Sequence, residues 1–205
     1  MKKTNNVFCL AVAMALACAP VAGSNAQSAK GFYKTPYRSR NAGSYSKSTG
    51  ILSLGLGFPN VSGGYYYTSG ISSAIPVPYV KYEHAIMDEV GIGGYAAAGF
   101  SQYKHGGYTD KIFALGIGAL GYYHFNKWIP IRKLDVYAGA GIGVRNLSYS
   151  YDDGYSGGRY NSSHFSIAPI FKAGARYYFA PSFGVYGEAG YDMMSAVNLG
   201  ISFRF

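Results

Sequence analysis

The last nine residues of the chain alternate strictly between apolar side chains and small or polar ones. The apolar set is Val197, Leu199, Ile201, Phe203 and Phe205, and the intervening set is Asn198, Gly200, Ser202 and Arg204. Successive side chains of a β-strand point to opposite faces of a sheet, so this pattern predicts a strand with one apolar face. Similar segments of about ten residues recur from Gly50 onward, separated by turn residues. The sequence therefore predicts an all-β domain.

The alternating segments fall into eight predicted strands. They cover residues 49–58, 75–87, 90–103, 111–125, 134–150, 165–179, 184–193 and 197–205. Proline cannot donate a hydrogen bond to a sheet, so Pro76, Pro78 and Pro169 are expected to mark strand ends or a bulge.

The composition indicates a surface that does not face water everywhere. Only 13% of the residues are charged, whereas soluble domains carry about 25%. Beyond the N-terminal segment, no apolar run reaches the roughly 20 residues that a membrane helix needs. In lipid, only helices and closed barrels satisfy every backbone polar group, and barrel strands cross with about 9–11 residues. Residues 49–205 are thus predicted to form an eight-stranded antiparallel up-and-down transmembrane β-barrel.

A soluble barrel is the alternative, with its apolar face turned inward and charged residues in water. The more polar face of the predicted strands carries mainly Gly, Ser, Ala and Tyr, which gives few charges for a wall in water. Aromatic residues also gather near predicted strand ends, as they do in the interfacial girdles of membrane barrels. These residues are Tyr122, Tyr123 and Phe125, and Tyr177, Tyr178 and Phe179. Both observations favour the membrane barrel.

The N-terminus has the pattern of a secretory signal peptide, residues 1–26. Lys2 and Lys3 precede an apolar stretch, and small residues before Gln27 give a cleavage site after Ala26. A lipoprotein signal ending at Cys18 is an alternative with a weaker motif. Both cysteines of the chain lie in this segment, so the mature chain is expected to contain no disulfide.

Residues 27–48 are predicted to be a flexible basic leader in the periplasm. The leader holds five bases and no acid, namely Lys30, Lys34, Arg38, Arg40 and Lys47. This charge suits contact with anionic lipid head groups or periplasmic polymers. A nucleic-acid partner is not favoured, because the segment is short and no recognition helix is indicated.

The C-terminal hairpin carries a family resemblance. The terminal Phe205, preceded by alternating apolar residues from Val197, resembles the signal that the barrel-assembly machinery recognises. The segments 184–191 and 198–205 resemble the last hairpin of small outer-membrane barrels of the OmpX and OmpW type. They are especially similar to the outer membrane protein β-barrel domain proteins of Bacteroidetes. The resemblance implies a location in the outer membrane of a Gram-negative cell, in contact with its lipid and lipopolysaccharide. It also implies a structural or surface-interaction role, with a narrow channel for small polar or hydrophobic solutes as the alternative.

Strand parity directs eight charged residues into the predicted lumen. They are Lys81, Glu83, Arg145, Lys172, Arg176, Glu188, Asp192 and Arg204. An eight-stranded barrel is just wide enough for side chains to fill, and buried charges must be paired. The cluster is therefore expected to plug the lumen, and an anion-preferring passage is the alternative.

Signals for an enzyme are weak. His164 and Ser166, with Glu188 downstream, resemble the His-x-Ser pair of lipid A deacylases, but the flanking residues differ. A palmitoyltransferase-like use of His105 and Asp110 has less support still. The four histidines lack metal-ligand spacing, so neither metal nor cofactor is expected. The outer loops 59–74 and 151–163 are rich in Tyr, Gly and Ser, which suits contact with an extracellular ligand.

Overall fold

The computed structural model describes the backbone of residues 44–62, 71–105, 108–153 and 159–205, with side chains for 44–62, 75–102, 110–150 and 161–205. The predicted signal peptide, both cysteines and most of the basic leader lie outside the described residues, as does part of each predicted outer loop.

Nine β-strands and one short 3-10 helix make up the described chain. The strands are β1 (Gly50–Asn60), β2 (Ile71–Ala74), β3 (Val77–Ala85), β4 (Val90–His105), β5 (Tyr108–His124), β6 (Leu134–Asp153), β7 (Arg159–Tyr178), β8 (Phe183–Tyr191) and β9 (Ser195–Arg204), and the 3-10 helix is Phe125–Lys127. Within these ranges, no helix has the length and apolarity needed to cross a membrane.

The strands close into an eight-stranded antiparallel barrel. Every consecutive pair of long strands is hydrogen-bonded, and β1 pairs with β9 to complete the circle. Gly50 N donates to Phe205 O at 2.8 Å and Phe205 N donates to Gly50 O at 3.0 Å. These two bonds join the first residue of β1 to the C-terminal residue. β2 and β3 both pair with β4 and occupy one position in the barrel. The predicted up-and-down barrel is confirmed.

The second predicted strand, residues 75–87, corresponds to β3, which starts two residues later, because Ile75 and Pro76 separate β2 from β3 and lie in neither strand. Pro78 lies within β3, but the β3–β4 ladder begins only at Tyr79. Pro169 lies just beyond the last β7–β8 pair, which joins Phe171 to Tyr191. All three prolines thus occur where one neighbouring strand is absent and no donor is lost.

The two faces of the barrel have opposite chemistry. Large apolar side chains are exposed on the outside, including Ile92, Ile117, Ile142, Phe171 and Leu199. Charged side chains are buried inside, including Lys81, Glu83, Lys172 and Arg176. This is the reverse of a soluble barrel and suits a bilayer around the wall. The final strand follows the same parity, since Val197, Leu199, Phe203 and Phe205 are exposed on the outer face.

One end of the barrel, here called the terminal end, holds Ser44 to Thr49, Phe205 and the connections β3–β4, β5–β6 and β7–β8. The opposite end is called the loop end. At the loop end the wall is uneven, because β6 and β7 have 20 residues each whereas β8 has 9. The predicted loop 151–163 was therefore wrong in extent: strands reach Asp153 and resume at Arg159.

Among the described strands, the upper part of β7 is an open sheet edge. Residues 159–170 pair with β6 on one side, and no described strand pairs with them on the other. Tyr178 N donates to Lys133 O on the β6 side. The β6–β7 register is unbroken and backbone groups alternate sides along a strand. The N–H groups of even-numbered residues of β7 therefore face β6, and those of odd-numbered residues such as Phe165 and Ile167 face the open edge.

Candidate functional site

The lumen contains two charge networks. The first, called the lower network, lies toward the terminal end and consists of Glu83, His124, Asp135 and Arg176. Asp135 and Arg176 face each other across the β6–β7 ladder, and Arg176 Nη1 donates to Asp135 Oδ2 at 3.0 Å. Across the lumen, Arg176 Nη2 donates to Glu83 Oε2 at 2.7 Å. The network thus joins β3, β6 and β7 through one guanidinium.

His124 bridges the two carboxylates of the lower network. Its Nδ1 lies 2.7 Å from Asp135 Oδ1 and its Nε2 lies 2.6 Å from Glu83 Oε1. Ionised carboxylates only accept hydrogen bonds, so both ring nitrogens carry a proton in this arrangement. His124 is then an imidazolium, and two cations balance two carboxylates. This balance is what a buried charge cluster requires.

The segment before β1 closes the terminal end below the lower network. The Tyr45 ring stacks on the His124 ring with centroids 3.4 Å apart and planes 9° apart. Ser44 Oγ donates to Leu134 O at 2.9 Å, and Asn126 Nδ2 donates to Tyr45 O at 3.4 Å. Ser44 and Tyr45 are both almost fully buried. Ser44 and Tyr45 of the basic leader are therefore part of the barrel interior.

The upper network lies toward the loop end and consists of Lys81, Lys172, Glu188 and Asp192. Lys81 Nζ donates to Glu188 Oε1 at 2.7 Å, and Lys172 Nζ lies 2.8 Å from Asp192 Oδ2. Tyrosines complete the set: Tyr137 donates to Glu188 Oε2 at 3.0 Å and Tyr79 donates to Asp192 Oδ2 at 2.8 Å. Two ammonium groups face two carboxylates, so this network is also balanced.

The short turn between β8 and β9 closes the loop end. Asp192 Oδ1 accepts hydrogen bonds from the backbone N–H groups of Met194 and Ser195, both at 2.9 Å. This directs the fully buried Met194 into the apolar part of the lumen. A Cβ at Gly116 would lie only 2.8 Å from Met194 Cγ, so the close approach needs glycine there. Arg145 Nη1 donates to Ser62 O and Met193 O and holds the turn from above.

The eight charged residues predicted from strand parity fall into three places. Six belong to the two networks, and Arg145 lies at the closure of the loop end. Arg204 lies at the terminal end, where its Nε donates to Pro181 O at 3.0 Å and its Nη1 contacts Ser44 O. Its guanidinium stacks over the Tyr178 ring at 4.1 Å. Arg204 has the inward parity expected of it, and these contacts lie at the rim of the terminal end.

Sequence reasoning missed His124, Asp135 and Tyr45. The first two lie at the ends of β5 and β6, and each shares parity with an inward tyrosine two residues away, Tyr122 or Tyr137. Following the inward–outward alternation to the end of β5 and the start of β6 would have identified both residues. Tyr45 carries no such signal, because it precedes the first alternating segment.

The deacylase-like triad is not assembled. His164 is exposed at the loop end, and its Nε2 lies 3.4 Å from Ser162 Oγ. Glu188 is buried and pairs with Gly174, ten residues further along β7. At about 3.3 Å per residue, His164 and Glu188 are separated by roughly 33 Å along the strand. These side chains cannot form one catalytic site.

Comparison with known proteins identifies the fold. No family model matches the chain, and no curated protein matches it in sequence. The attachment invasion locus protein Ail of Yersinia pestis aligns with 78% of this chain and 99% of its own, at 14% identity and a TM-score of 0.51. The N-terminal barrel of Pseudomonas aeruginosa OprF aligns with 78% of this chain and 98% of its own, at 17% identity and a TM-score of 0.44. The likeness to Ail, together with the closed ladder of strands, shows that the chain has the fold of the small eight-stranded outer-membrane barrels.

Proposed function

We propose that this chain is an integral outer-membrane barrel with a closed lumen, acting as a structural element of the membrane and as a surface that contacts extracellular partners. The signal peptide is removed on export, and the terminal end faces the periplasm, as in other outer-membrane barrels. The barrel-assembly machinery inserts the chain by its C-terminal strand, and the exposed apolar wall contacts outer-membrane lipid and lipopolysaccharide.

The closed lumen is supported by the pairing of charges in both the lower and the upper network. Glu83 and Asp135 are balanced by His124 and Arg176, and the upper network repeats the balance with two lysines. A conducting pore needs polar groups that remain available to water or solute. Here they bind one another, and Tyr45 and Met194 close the two ends. This counts against a narrow solute channel.

The open edge of β7 supports the surface role. An open edge is not tolerated within the hydrocarbon region, so residues above Pro169 lie in the headgroup layer or beyond it. There, Phe165 and Ile167 are each 64% exposed on the outward face. Unpaired backbone groups beside apolar side chains are the features that an added β-strand binds. The partner class that fits is an extended protein segment with alternating apolar residues.

A second copy of the chain fits this edge poorly. Two barrels in one membrane are related by an axis along the membrane normal, so their β7 strands run in the same direction. Strands of each barrel tilt by about 35–45° from that axis, and the two edges then cross at a steep angle instead of aligning. An extracellular strand is free of this constraint.

The experiment uses the barrel in lipid nanodiscs and a synthetic nine-residue peptide that alternates valine and threonine. Amide hydrogen exchange should slow at Phe165 and Ile167 when the peptide is added, because their N–H groups then gain a partner. Phe165→Pro should reduce peptide binding, whereas the matched Phe165→Val, which keeps the N–H, should not. If amide hydrogen exchange at Phe165 and Ile167 is unchanged by the peptide, the edge of β7 is not the contact surface.

A further inference from the structure

The position beside β7 in the barrel wall is filled by β8 only along its lower part. The ladder between the two strands ends at the pair Phe171–Tyr191, and residues 192–194 then turn into β9. A strand added to the upper edge of β7 would continue the row of β8. Its first residues would therefore lie directly above the β8–β9 turn.

The guanidinium of Arg145 lies at this turn. Arg145 faces the lumen from β6 and pairs in register with Ser166 of β7. Its Nη1 donates to Met193 O at 3.1 Å and to Ser62 O at 3.2 Å, so the side chain reaches from β6 past β7 to the β8–β9 turn. Its Nε is buried and has no hydrogen-bond partner in the described part of the chain. The cation is thus incompletely bonded at the place where an added strand would begin.

The charge of Arg145 is not balanced within the described ranges. The acceptors of its Nη1 are neutral carbonyl groups. Asp192 lies in the same turn, but its carboxylate is bound by Lys172 at 2.8 Å. Asp110 pairs in register with Tyr151, roughly 20 Å further along β6. Arg145 is partly exposed, so an incoming carboxylate can reach its guanidinium, for which that group is the best-matched partner.

The two faces of the upper β7 segment would meet the two faces of an added strand. The outward side chains Phe165 and Ile167 are apolar and exposed. The inward side chains Ser162, His164 and Ser166 supply hydroxyl groups and an imidazole, and no acid. Neighbouring side chains on one face of a sheet interact, and like charges repel there. The outward face therefore favours apolar residues in the partner, and the inward face favours acidic ones.

We propose that the upper edge of β7 selects an extended protein segment that alternates apolar and acidic residues, and that Arg145 binds one of the acidic side chains. The proposal rests on the edge contact given under Proposed function and adds the charge of the partner to it. The apolar residues of the segment lie beside Phe165 and Ile167. The acidic residues point toward the lumen, where a carboxylate accepts hydrogen bonds from the guanidinium.

The test compares three nine-residue peptides on the mature barrel in nanodiscs of zwitterionic lipid. The first alternates valine and threonine, and the other two carry glutamate or lysine in place of threonine. Titration of each peptide against amide exchange at Phe165 and Ile167 gives its dissociation constant. The glutamate peptide should bind about fivefold more tightly than the threonine peptide, and the lysine peptide should bind more weakly than either.

Variants of Arg145 locate the source of this preference. Arg145→Gln keeps an amide donor for the β8–β9 turn but removes the charge, so the ratio between the glutamate and threonine peptides should fall to about one. Arg145→Lys keeps the charge and should keep most of the ratio. The matched control is Lys111→Gln, which removes an exposed charge from β5 near the same end and should leave the ratio unchanged.

The outcomes separate this proposal from the edge contact itself. Equal binding of all three peptides would overturn the selection of acidic residues while edge pairing stands. A preference for glutamate that survives in Arg145→Gln would overturn the role of Arg145. If no peptide slows exchange at Phe165 or Ile167, the edge contact fails and the selection of acidic residues fails with it.

Discussion

The lumen and the upper edge of β7 use the same kinds of group in opposite ways. In the lumen, charged side chains are buried and bound to each other, as in Lys81 with Glu188 at 2.7 Å. At the edge of β7, backbone donors of Phe165 and Ile167 face no described partner strand. The comparison teaches that the barrel separates stability from contact: the buried charges pair with one another, and the upper edge of β7 has no partner among the described strands.

Glu83→Ala tests the interior most severely. The variant leaves Asp135 as the remaining carboxylate of the lower network. The two buried cations, Arg176 and His124, then face one negative charge instead of two. Breaking a buried pair in this way costs about 3–5 kcal/mol, and we expect the upper end of that range. Urea-induced unfolding of the refolded barrel in detergent measures the loss. Asn146→Ala, an exposed outward change on β6, should stay within about 0.5 kcal/mol.

Glu188→Ala should have a smaller effect of about 3 kcal/mol, because Lys172 keeps Asp192 and mainly Lys81 is left unpaired. The unfolding temperature should fall accordingly. Adding Lys81→Met removes the unpaired ammonium group and should recover much of the lost stability. If the double variant is no more stable than the single one, charge pairing is not what Glu188 supplies.

Tyr45→Ala tests whether the segment before β1 belongs to the interior. The variant loses the stack on His124 and the burial of one aromatic ring, which together contribute about 2 kcal/mol. Differential scanning calorimetry should show a lower unfolding temperature. Ser48→Ala, an exposed position in the same segment, is the control and should leave the temperature unchanged.

A pair of proline substitutions compares the two sides of β7. Ser166→Pro removes a donor that faces β6 and should cost about 1–2 kcal/mol. Phe165→Pro removes a donor that faces the open edge and should cost about 0.5 kcal/mol or less. Equal losses of stability would contradict the assignment of donors to the two sides of this strand.

The alternation of side chains was sufficient to predict the fold and the inward direction of most charged residues. Parity alone placed Lys81, Glu83, Lys172 and Arg176 inside. It could not predict which of them meet, because partners such as Glu83 and Arg176 are brought together across the lumen by barrel closure and strand tilt. The unequal lengths of the strands could not be predicted either. The tyrosine-rich segment from Tyr151 onward has the composition of a loop, although β6 extends into it from one side and β7 from the other.

The most direct test of the closed interior is electrical recording of the purified barrel in planar lipid bilayers. With Tyr45 stacked on His124 at one end and Met194 buried at the other, insertion should produce no discrete conductance steps. Stable single-channel steps from the unaltered barrel would contradict the account, because ions would then pass a lumen whose charged groups are bound to one another.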